Sequence, residues 1–470
     1  MKTAFACLLL FLMVTKVGAQ SVADTSAMNR FVARYNAKQY GAIFHWFAPD
    51  MQAALPLEKA VSFFKRLRQE GGRIRGYAFT GFQNGSYATY KTDFEKAVFT
   101  VRLSLDHQRR INGLLVTAVA APLVASQGGS DSGRVVNGLG AYPKKIADAI
   151  YAKAKDFPDH TQLAIAVVRK GQTHYYGMIR KGDTLRPVDN QNKVFEIGSI
   201  TKVFTATVLA ALVVEHKLRL TDDINGYFPF AFKDSIGTSW LGLANHTAGL
   251  PRLPVNFDAS NQRNPYSGYG RQALYTYLKE ELKLQTAPLH SYSYSNLGVG
   301  LLGYALGLAQ HTSFQQLLRE KVFDRYHMRH SFTDAKGLGA QLVRGLNAAG
   351  EAVPNWDFDA LFAAGGVLST ASDLAAFAKA QFDSTDRVLA LTRVPTFQVS
   401  DKMKIGLGWH LLRRGEGRWW CWHNGGTGGY TSSLAVDVAG QSAVIVLSNV
   451  SAFSPAMKNI DPLCFALMAQ

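Results

Sequence analysis

Phe195-Glu196-Ile197-Gly198-Ser199-Ile200-Thr201-Lys202 is the stretch on which the fold of this 470-residue chain turns. Ser199 follows a glycine, and Lys202 comes three residues later. An apolar run continues through Val203, Phe204, Val208, Leu209, Leu212 and Val213. This spacing predicts a helix opening at Ser199, with Lys202 one turn on and on the same face. The serine hydroxyl then stands at the positive end of the helix dipole, beside a potential base. Ser199 is therefore a candidate nucleophile and Lys202 its candidate activator. The pair proves little alone, because Ser62-Phe63-Phe64-Lys65 repeats the spacing where an ordinary helix start suffices.

Two further segments supply what an acyl-transfer site needs. Tyr292-Ser293-Tyr294-Ser295-Asn296 precedes an apolar helix, Leu297 to Leu308. A phenol and an amide two residues apart in a loop can face one cleft. A tyrosine whose pKa is lowered by a neighbouring lysine can act as a base, and its phenol can later donate to a leaving group. Tyr294 is the candidate and Tyr292 its competitor. The second segment is Trp422-His423-Asn424-Gly425-Gly426-Thr427-Gly428-Gly429-Tyr430, a strand that ends in His423 and runs into four glycines. Glycines let a backbone come close to a substrate and leave N–H groups open. An oxyanion hole needs two such donors, expected here from the backbones of Ser199 and Gly426.

Ser199-x-x-Lys202, Tyr294-x-Asn296 and His423-x-Gly425, in that order, resemble the serine β-lactamase and penicillin-binding-protein superfamily. Tyr-x-Asn in the second place makes the chain similar to class C β-lactamases, DD-peptidases, D-aminopeptidases and β-lactamase-like esterases. Phe195–Ser199, Asn245-His246-Thr247-Ala248-Gly249-Leu250-Pro251 and Gly365–Leu374 support the resemblance, which covers about 142–468. It implies that Ser199 becomes acylated, that Lys202 and Tyr294 share the proton work, and that Asn296, His423 and Gly425 bind substrate. Strands at both ends of this region, joined by short turns, independently predict a largely antiparallel sheet flanked by helices, with an inserted helical lobe, which is the β-lactamase-like fold the resemblance implies. His246 lies in a segment shared with the family and is expected to be structural. His423 departs from the Lys-Thr-Gly usual in class C enzymes. A histidine titrates near neutrality, so if His423 holds a substrate carboxylate, turnover of such substrates should weaken above roughly pH 6.5. The expected activity is an acyl-enzyme hydrolase for amides or esters, including D-amino-acid peptides of the cell wall. The alternative is a penicillin-binding sensor that acylates without turnover.

The rest of the chain frames this reading. Lys2, the apolar run Ala6–Val14 and the small residues Val17-Gly18-Ala19 predict a signal peptide over 1–19, and hence a periplasmic or secreted protein. The apolar run is too short for a transmembrane anchor. Cleavage takes the formal charge from +17 to +15. No dense Lys/Arg run accompanies that charge, so a nucleic-acid partner is not expected, and the surface suits anionic envelope polymers. No zinc-ligand spacing or His-Glu-x-x-His occurs, and neither metal nor organic cofactor is expected. Cys421 and Cys464 are read as buried free thiols.

Residues 24–120 read as a small α+β module, weakly similar to cystatin-like and nuclear-transport-factor-like folds. Helical patterning covers Ala27–Tyr35 and Leu57–Gln69, and strands are expected at Tyr87–Tyr90, Ala97–Leu103 and Ile111–Val119. Residues 121–141 read as a Gly/Ser-rich linker, and 142–470 as the hydrolase domain. There, strands are expected at Gln162–Arg169, His174–Arg180, Leu407–Leu412, Trp419–His423, Tyr430–Val436 and Ala443–Leu447. A mainly helical block lies between the two groups, and helices are expected at Pro143–Lys155 and Pro455–Met468. Gly298-x-Gly300-x-x-Gly303 mimics a dinucleotide-binding pattern, but close helix packing explains it better. No Gly-x-Ser-x-Gly elbow is present.

Overall fold

The computed structural model describes residues 22–83, 87–106, 108–118, 135–258, 261, 263–415 and 417–470. The expected signal peptide and the Gly/Ser run 126–133 lie outside these residues. The chain divides into two compact units at Gly129/Ser130.

The N-terminal unit carries an antiparallel four-stranded sheet in chain order. Its strands are β1 (Ile74–Gln83), β2 (Tyr87–Phe94), β3 (Val98–Leu105) and β4 (Ile111–Ala118). The helices Val22–Asn36 and Leu57–Gly71 accompany it. Phe31, Tyr35, Phe64, Tyr90, Phe94 and Phe99 fill one aromatic core. The sequence pattern misses β1, because register shifts at Ile74/Gly76 and Phe79/Gly81 break its alternation.

The second unit is built on a ten-stranded sheet. Its strands in chain order are β5 (Val136–Asn137), β6 (Gln162–Arg169), β7 (Gln172–Lys181) and β8 (Thr184–Pro187). Short pieces follow as β9 (Phe195–Glu196), β10 (Gly345–Leu346), β11 (Ala352–Val353) and β12 (Leu368–Ser369). The chain returns to the large sheet with β13 (Phe397–Ser400), β14 (Met403–Ile405), β15 (His410–Arg413), β16 (Trp419–Gly426), β17 (Thr431–Asp437) and β18 (Ser442–Ser448). The spatial order is β13-β14-β15-β16-β17-β18-β6-β7-β8-β5. Every pairing in it is antiparallel except β5 with β8. The sheet thus reaches back to Val136, inside the stretch expected as linker, and Leu139 is buried in its core.

Strand periodicity explains why both faces are covered. On β18, Ala443, Ile445 and Leu447 join the core under the helical lobe, while Val444 and Val446 join the opposite core. The helices Lys144–Ala154 and Ile460–Met468 cover that second face. The helix Thr201–Val214 is buried on nearly every side, which its continuous apolar run requires. Gly300 and Gly303 let the helix Asn296–Ala309 press onto residues 359–364: a Cβ on Gly303 would come within 2.2 Å of Ala363 Cβ. The dinucleotide-like pattern is therefore packing. Cys421 and Cys464 are buried and free. Among the described residues no helix is long and apolar enough to cross a membrane.

Candidate active site

Ser199 sits in a short 3₁₀ turn, Gly198–Ile200, that runs straight into the helix Thr201–Val214. Gly198 has φ +51°, the left-handed region that glycine enters without a Cβ penalty. The turn is clamped from two sides. Ser432 Oγ on β17 donates to Ile197 O at 2.8 Å, and Val367 N donates to Thr201 Oγ1 at 3.2 Å. Strand β16 presses on the same turn, because a Cβ on Gly425 would lie 1.9 Å from Ile197 O. The glycines were expected to open a loop after His423. Instead β16 continues through Asn424, Gly425 and Gly426, with Gly426 paired to Thr431. Close approach of two backbones, not loop freedom, is what requires Gly425. Gly425→Ala is expected to cost at least about 1–3 kcal/mol, since the obstacle is main chain and cannot turn aside. Thermal unfolding reads this directly, and an unchanged Tm would contradict the packing described.

Lys202 lies one turn along the helix and is 1% exposed. Its Nζ is 2.9 Å from Ser199 Oγ and donates to Ala364 O at 2.6 Å. Burial holds this amine well below the ordinary lysine range, and the charge of Arg252 adds to the effect. A neutral amine keeps one lone pair, so it can accept the serine proton while donating to Ala364.

Tyr294 completes this group. Its ring centroid is 4.9 Å from Lys202 Nζ and 5.1 Å from Arg252 Cζ. The lowered tyrosine pKa expected from a neighbouring lysine does not occur. Burial pushes the phenol up to about 12, and a hydrogen bond with Ser199 and the Arg252 charge only partly oppose it. Lys202 is not among the groups that draw the phenol down. Tyr294 is a protonated phenol at neutral pH. Its competitor Tyr292 is engaged elsewhere, with its hydroxyl 2.9 Å from His410 Nε2.

Asn296 opens the helix Asn296–Ala309 behind the N-cap Ser295, whose Oγ accepts from Gly298 N at 2.8 Å. Asn296 Nδ2 donates to Tyr266 Oη at 2.7 Å, while its buried Oδ1 has no partner among the described residues. His423 is 1% exposed on β16. Its Nδ1 lies 2.6 Å from Asn424 O, which can only accept, so the proton sits on Nδ1 and the neutral ring leaves Nε2 an acceptor. That Nε2 is buried and unpartnered among the described residues. Burial, then the neighbouring His410 and Lys202, holds His423 well below the ordinary imidazole range. A carboxylate-linked loss above roughly pH 6.5 is therefore not expected: the ring is already neutral there, and an acceptor nitrogen repels a carboxylate.

A Cβ on Gly198 would lie 2.5 Å from the amide nitrogen of Gly426, so β16 runs close beside the turn that carries Ser199. Ser199, Lys202, Tyr294, Asn296, His423, Gly425 and Gly426 thus come together from three segments far apart in sequence. Ser62 stands in the other unit, on the helix Leu57–Gly71.

Two histidines carry more of the site than the sequence suggested. His246, with φ +62°, packs its ring 4.5 Å from that of Tyr294 and accepts from Ser295 N at 3.2 Å. His410 stacks against Tyr294 at 6.5 Å and lies 5.1 Å from His423, and burial lowers it to about 4. Three neutral imidazoles therefore surround the phenol. The segment containing His246 could have hinted at this, but His410 offers no motif. Glu196, three residues before Ser199, was quoted without a role. It is buried, and its Oε1 accepts from Asn355 Nδ2 at 2.7 Å and from Trp356 N at 2.8 Å. Burial raises this carboxyl to about 7. Because the folded value lies above the unfolded one, the neutral acid favours folding below the unfolded pKa, and that contribution is lost as pH rises through about 7. Wild type is expected to lose at most roughly 3 kcal/mol across this window, and Glu196→Gln to flatten it. Denaturant unfolding at several pH values checks this; parallel pH profiles for the two proteins would refute it. Among the described residues no group of three or more His, Cys, Asp or Glu is placed to hold a metal ion.

Known proteins resemble this chain in sequence and in fold. The family described as Beta-lactamase matches residues 152–462, and a family of unknown function, DUF3887, matches residues 29–114. A beta-lactamase of Pseudomonas fluorescens is 27% identical over 57% of this chain and 74% of its own length. The D-alanyl-D-alanine-carboxypeptidase/endopeptidase AmpH of Escherichia coli (strain K12) is 28% identical over 59% of this chain and 76% of its own. Among solved structures, a beta-lactamase/D-alanine carboxypeptidase from Pseudomonas syringae shares the fold at a TM-score of 0.59 and 21% identity, covering 69% of this chain and 99% of its own. A class C beta-lactamase gives the same TM-score and identity, covering 96% of its own chain. With its match spanning most of the sequence, the chain belongs to the beta-lactamase family and is a serine hydrolase of the β-lactamase-related type.

Proposed function

We propose that this protein is an exported hydrolase that works through an acyl-enzyme on Ser199 and acts on D-amino-acid peptides of the cell wall. The observation that carries the reading is the buried Lys202 Nζ, 2.9 Å from Ser199 Oγ. In the proposed cycle, neutral Lys202 takes the proton as Ser199 Oγ attacks the carbonyl carbon. The oxyanion is held by the amides of Ser199 and Gly426. Tyr294, protonated, delivers a proton to the leaving amine and is recharged from Lys202. Water then attacks the ester, with the same groups working in reverse.

The two orienting residues support an amide substrate. Asn296 Oδ1 and His423 Nε2 are both buried acceptors without partners among the described residues. A peptide N–H supplies the donor such atoms lack, and an ester oxygen does not. A substrate named in the description of the Escherichia coli relative, D-alanyl-D-alanine peptide, fits that demand. Export rests on Lys2, the apolar run Ala6–Val14 and the small residues before Gln20. A substrate panel tests the reading: a D-alanyl-D-alanine peptide, a matched depsipeptide, a simple aryl ester and a chromogenic cephalosporin. The expected order of kcat/KM places the D-alanyl-D-alanine peptide above the cephalosporin. Turnover of the cephalosporin alone would overturn the peptide assignment.

A further inference from the structure

The chemistry assigned to His423 in the sequence needs another owner. A substrate carboxylate cannot rest on a buried imidazole whose free nitrogen is an acceptor. Nor can it rest on Lys202, which is buried and engaged with Ser199 and Ala364. Arg252 is different. Its side chain is exposed, and its guanidinium carbon is 5.1 Å from the ring centroid of Tyr294. It takes part in none of the ion pairs among the described residues.

Its position is built by the backbone. Arg252 O accepts from Asn296 N at 3.0 Å and from Leu297 N at 3.1 Å. Pro251 O accepts from Ser295 Oγ at 2.6 Å, and His246 O accepts from Ser293 N at 2.9 Å. The segment 246–252 is thus laced to the segment that carries Tyr294 and Asn296, residue against residue. This fixes the root of the arginine beside the candidate proton donor, and the residue as a whole stays exposed. The charge is felt throughout the site: it opposes protonation of Lys202 and His246 and favours ionisation of Tyr266, Tyr292 and Tyr294. A guanidinium offers paired N–H donors that match a carboxylate, which a neutral histidine cannot do.

We propose that Arg252 is the residue that recognises a carboxylate on the leaving-group side of the substrate, setting a preference for anionic over neutral acyl substrates. This rests on the hydrolase reading above, with Ser199 as the acylated residue. The competing role is purely local, with Arg252 supporting the Tyr294 ring through its charge. The two roles differ in what they predict. A carboxylate-binding arginine acts on one substrate of a matched pair, whereas a support for Tyr294 acts on both.

The test uses two aryl esters with the same acyl group, one carrying a carboxylate meta on the leaving phenol and one without it. The ratio of their kcat/KM values is measured for wild type, Arg252→Gln and Arg252→Lys, at low and high salt. Arg252→Gln should lower the ratio by about tenfold or more, as loss of a charge-assisted contact implies. Arg252→Lys should restore part of it, and salt should narrow the wild-type ratio. An equal fall for both esters in Arg252→Gln, or no change in the ratio, overturns the assignment. Failure of the hydrolase reading looks different. If wild type turns over neither ester, the same pair is followed by mass as acylation of Ser199, and the ratio of acylation rates is read instead. Absence of acylation by either ester overturns both proposals.

Discussion

Ser199→Ala is expected to abolish turnover, by at least about 10³-fold in kcat/KM for every substrate the protein accepts, while the fold survives. The loss is large because the hydroxyl is the atom that would form the covalent bond, and the hydrogen-bond partners of Lys202 Nζ among the described residues are Ser199 Oγ and Ala364 O. The structural cost is small. Lys202 keeps its bond to Ala364 O, and the Gly198–Ile200 turn is held by Ser432, Val367 and β16 rather than by the Ser199 side chain. A stability loss of about 1 kcal/mol is expected, from the hydrogen bond with Ser199 that the buried Tyr294 phenol loses. Steady-state rates together with thermal unfolding check both halves. Residual turnover within tenfold of wild type would mean that the reacting atom is elsewhere.

Lys202→Met should cost about 10²–10⁴-fold in the acylation rate, the range for losing a general base. Methionine fills the same buried channel without an amine, and the price in stability is about 1–3 kcal/mol, because Ala364 O loses its donor. The pH profile is the sharper reading. Burial and the Arg252 charge hold the Lys202 pKa well below its ordinary value. The active form is the unprotonated amine, so acylation in wild type should fall as pH drops through that lowered pKa and should be flat above it, until other groups titrate. Lys202→Met should lose this acid limb along with most of its rate. Pre-steady-state acylation measured across pH distinguishes the cases, and an unaltered acid limb in the variant would assign the limb to another group.

Much of this site is legible in the sequence because its chemistry is local in three places. Ser199 and Lys202 share a helix face, Tyr294 and Asn296 share a loop, and His423, Gly425 and Gly426 share a strand. Their order in the chain identified the family, and the antiparallel sheet followed from short turns between strands such as Gln162–Arg169 and Gln172–Lys181. What stayed hidden is whatever depends on burial by distant segments. Tyr294 was expected with a lowered pKa because a lysine lies nearby in the motif. The structure buries both, and desolvation decides the sign for each. His423 was read as a titrating group from its residue type, yet its environment comes from His410 on β15, thirteen residues earlier and on a neighbouring strand. Arg252 follows a Leu-Pro pair and carries no motif. Its relation to Tyr294 exists only because the backbone of 251–252 is tied to 295–297. In the N-terminal unit, β1 escaped notice for a related reason: its glycines and bulges erase the period of two that marks a strand.

The central claim is that Ser199 forms and then releases an acyl group, and intact-mass measurement tests it most directly. The protein is mixed with an activated ester and sampled from milliseconds to hours, with peptide mapping to locate the adduct. The expected result is a transient mass increase equal to the acyl group, mapped to Ser199, which decays as product appears and is absent in Ser199→Ala. Turnover with the adduct on another residue, or an adduct that forms equally in Ser199→Ala, would contradict it.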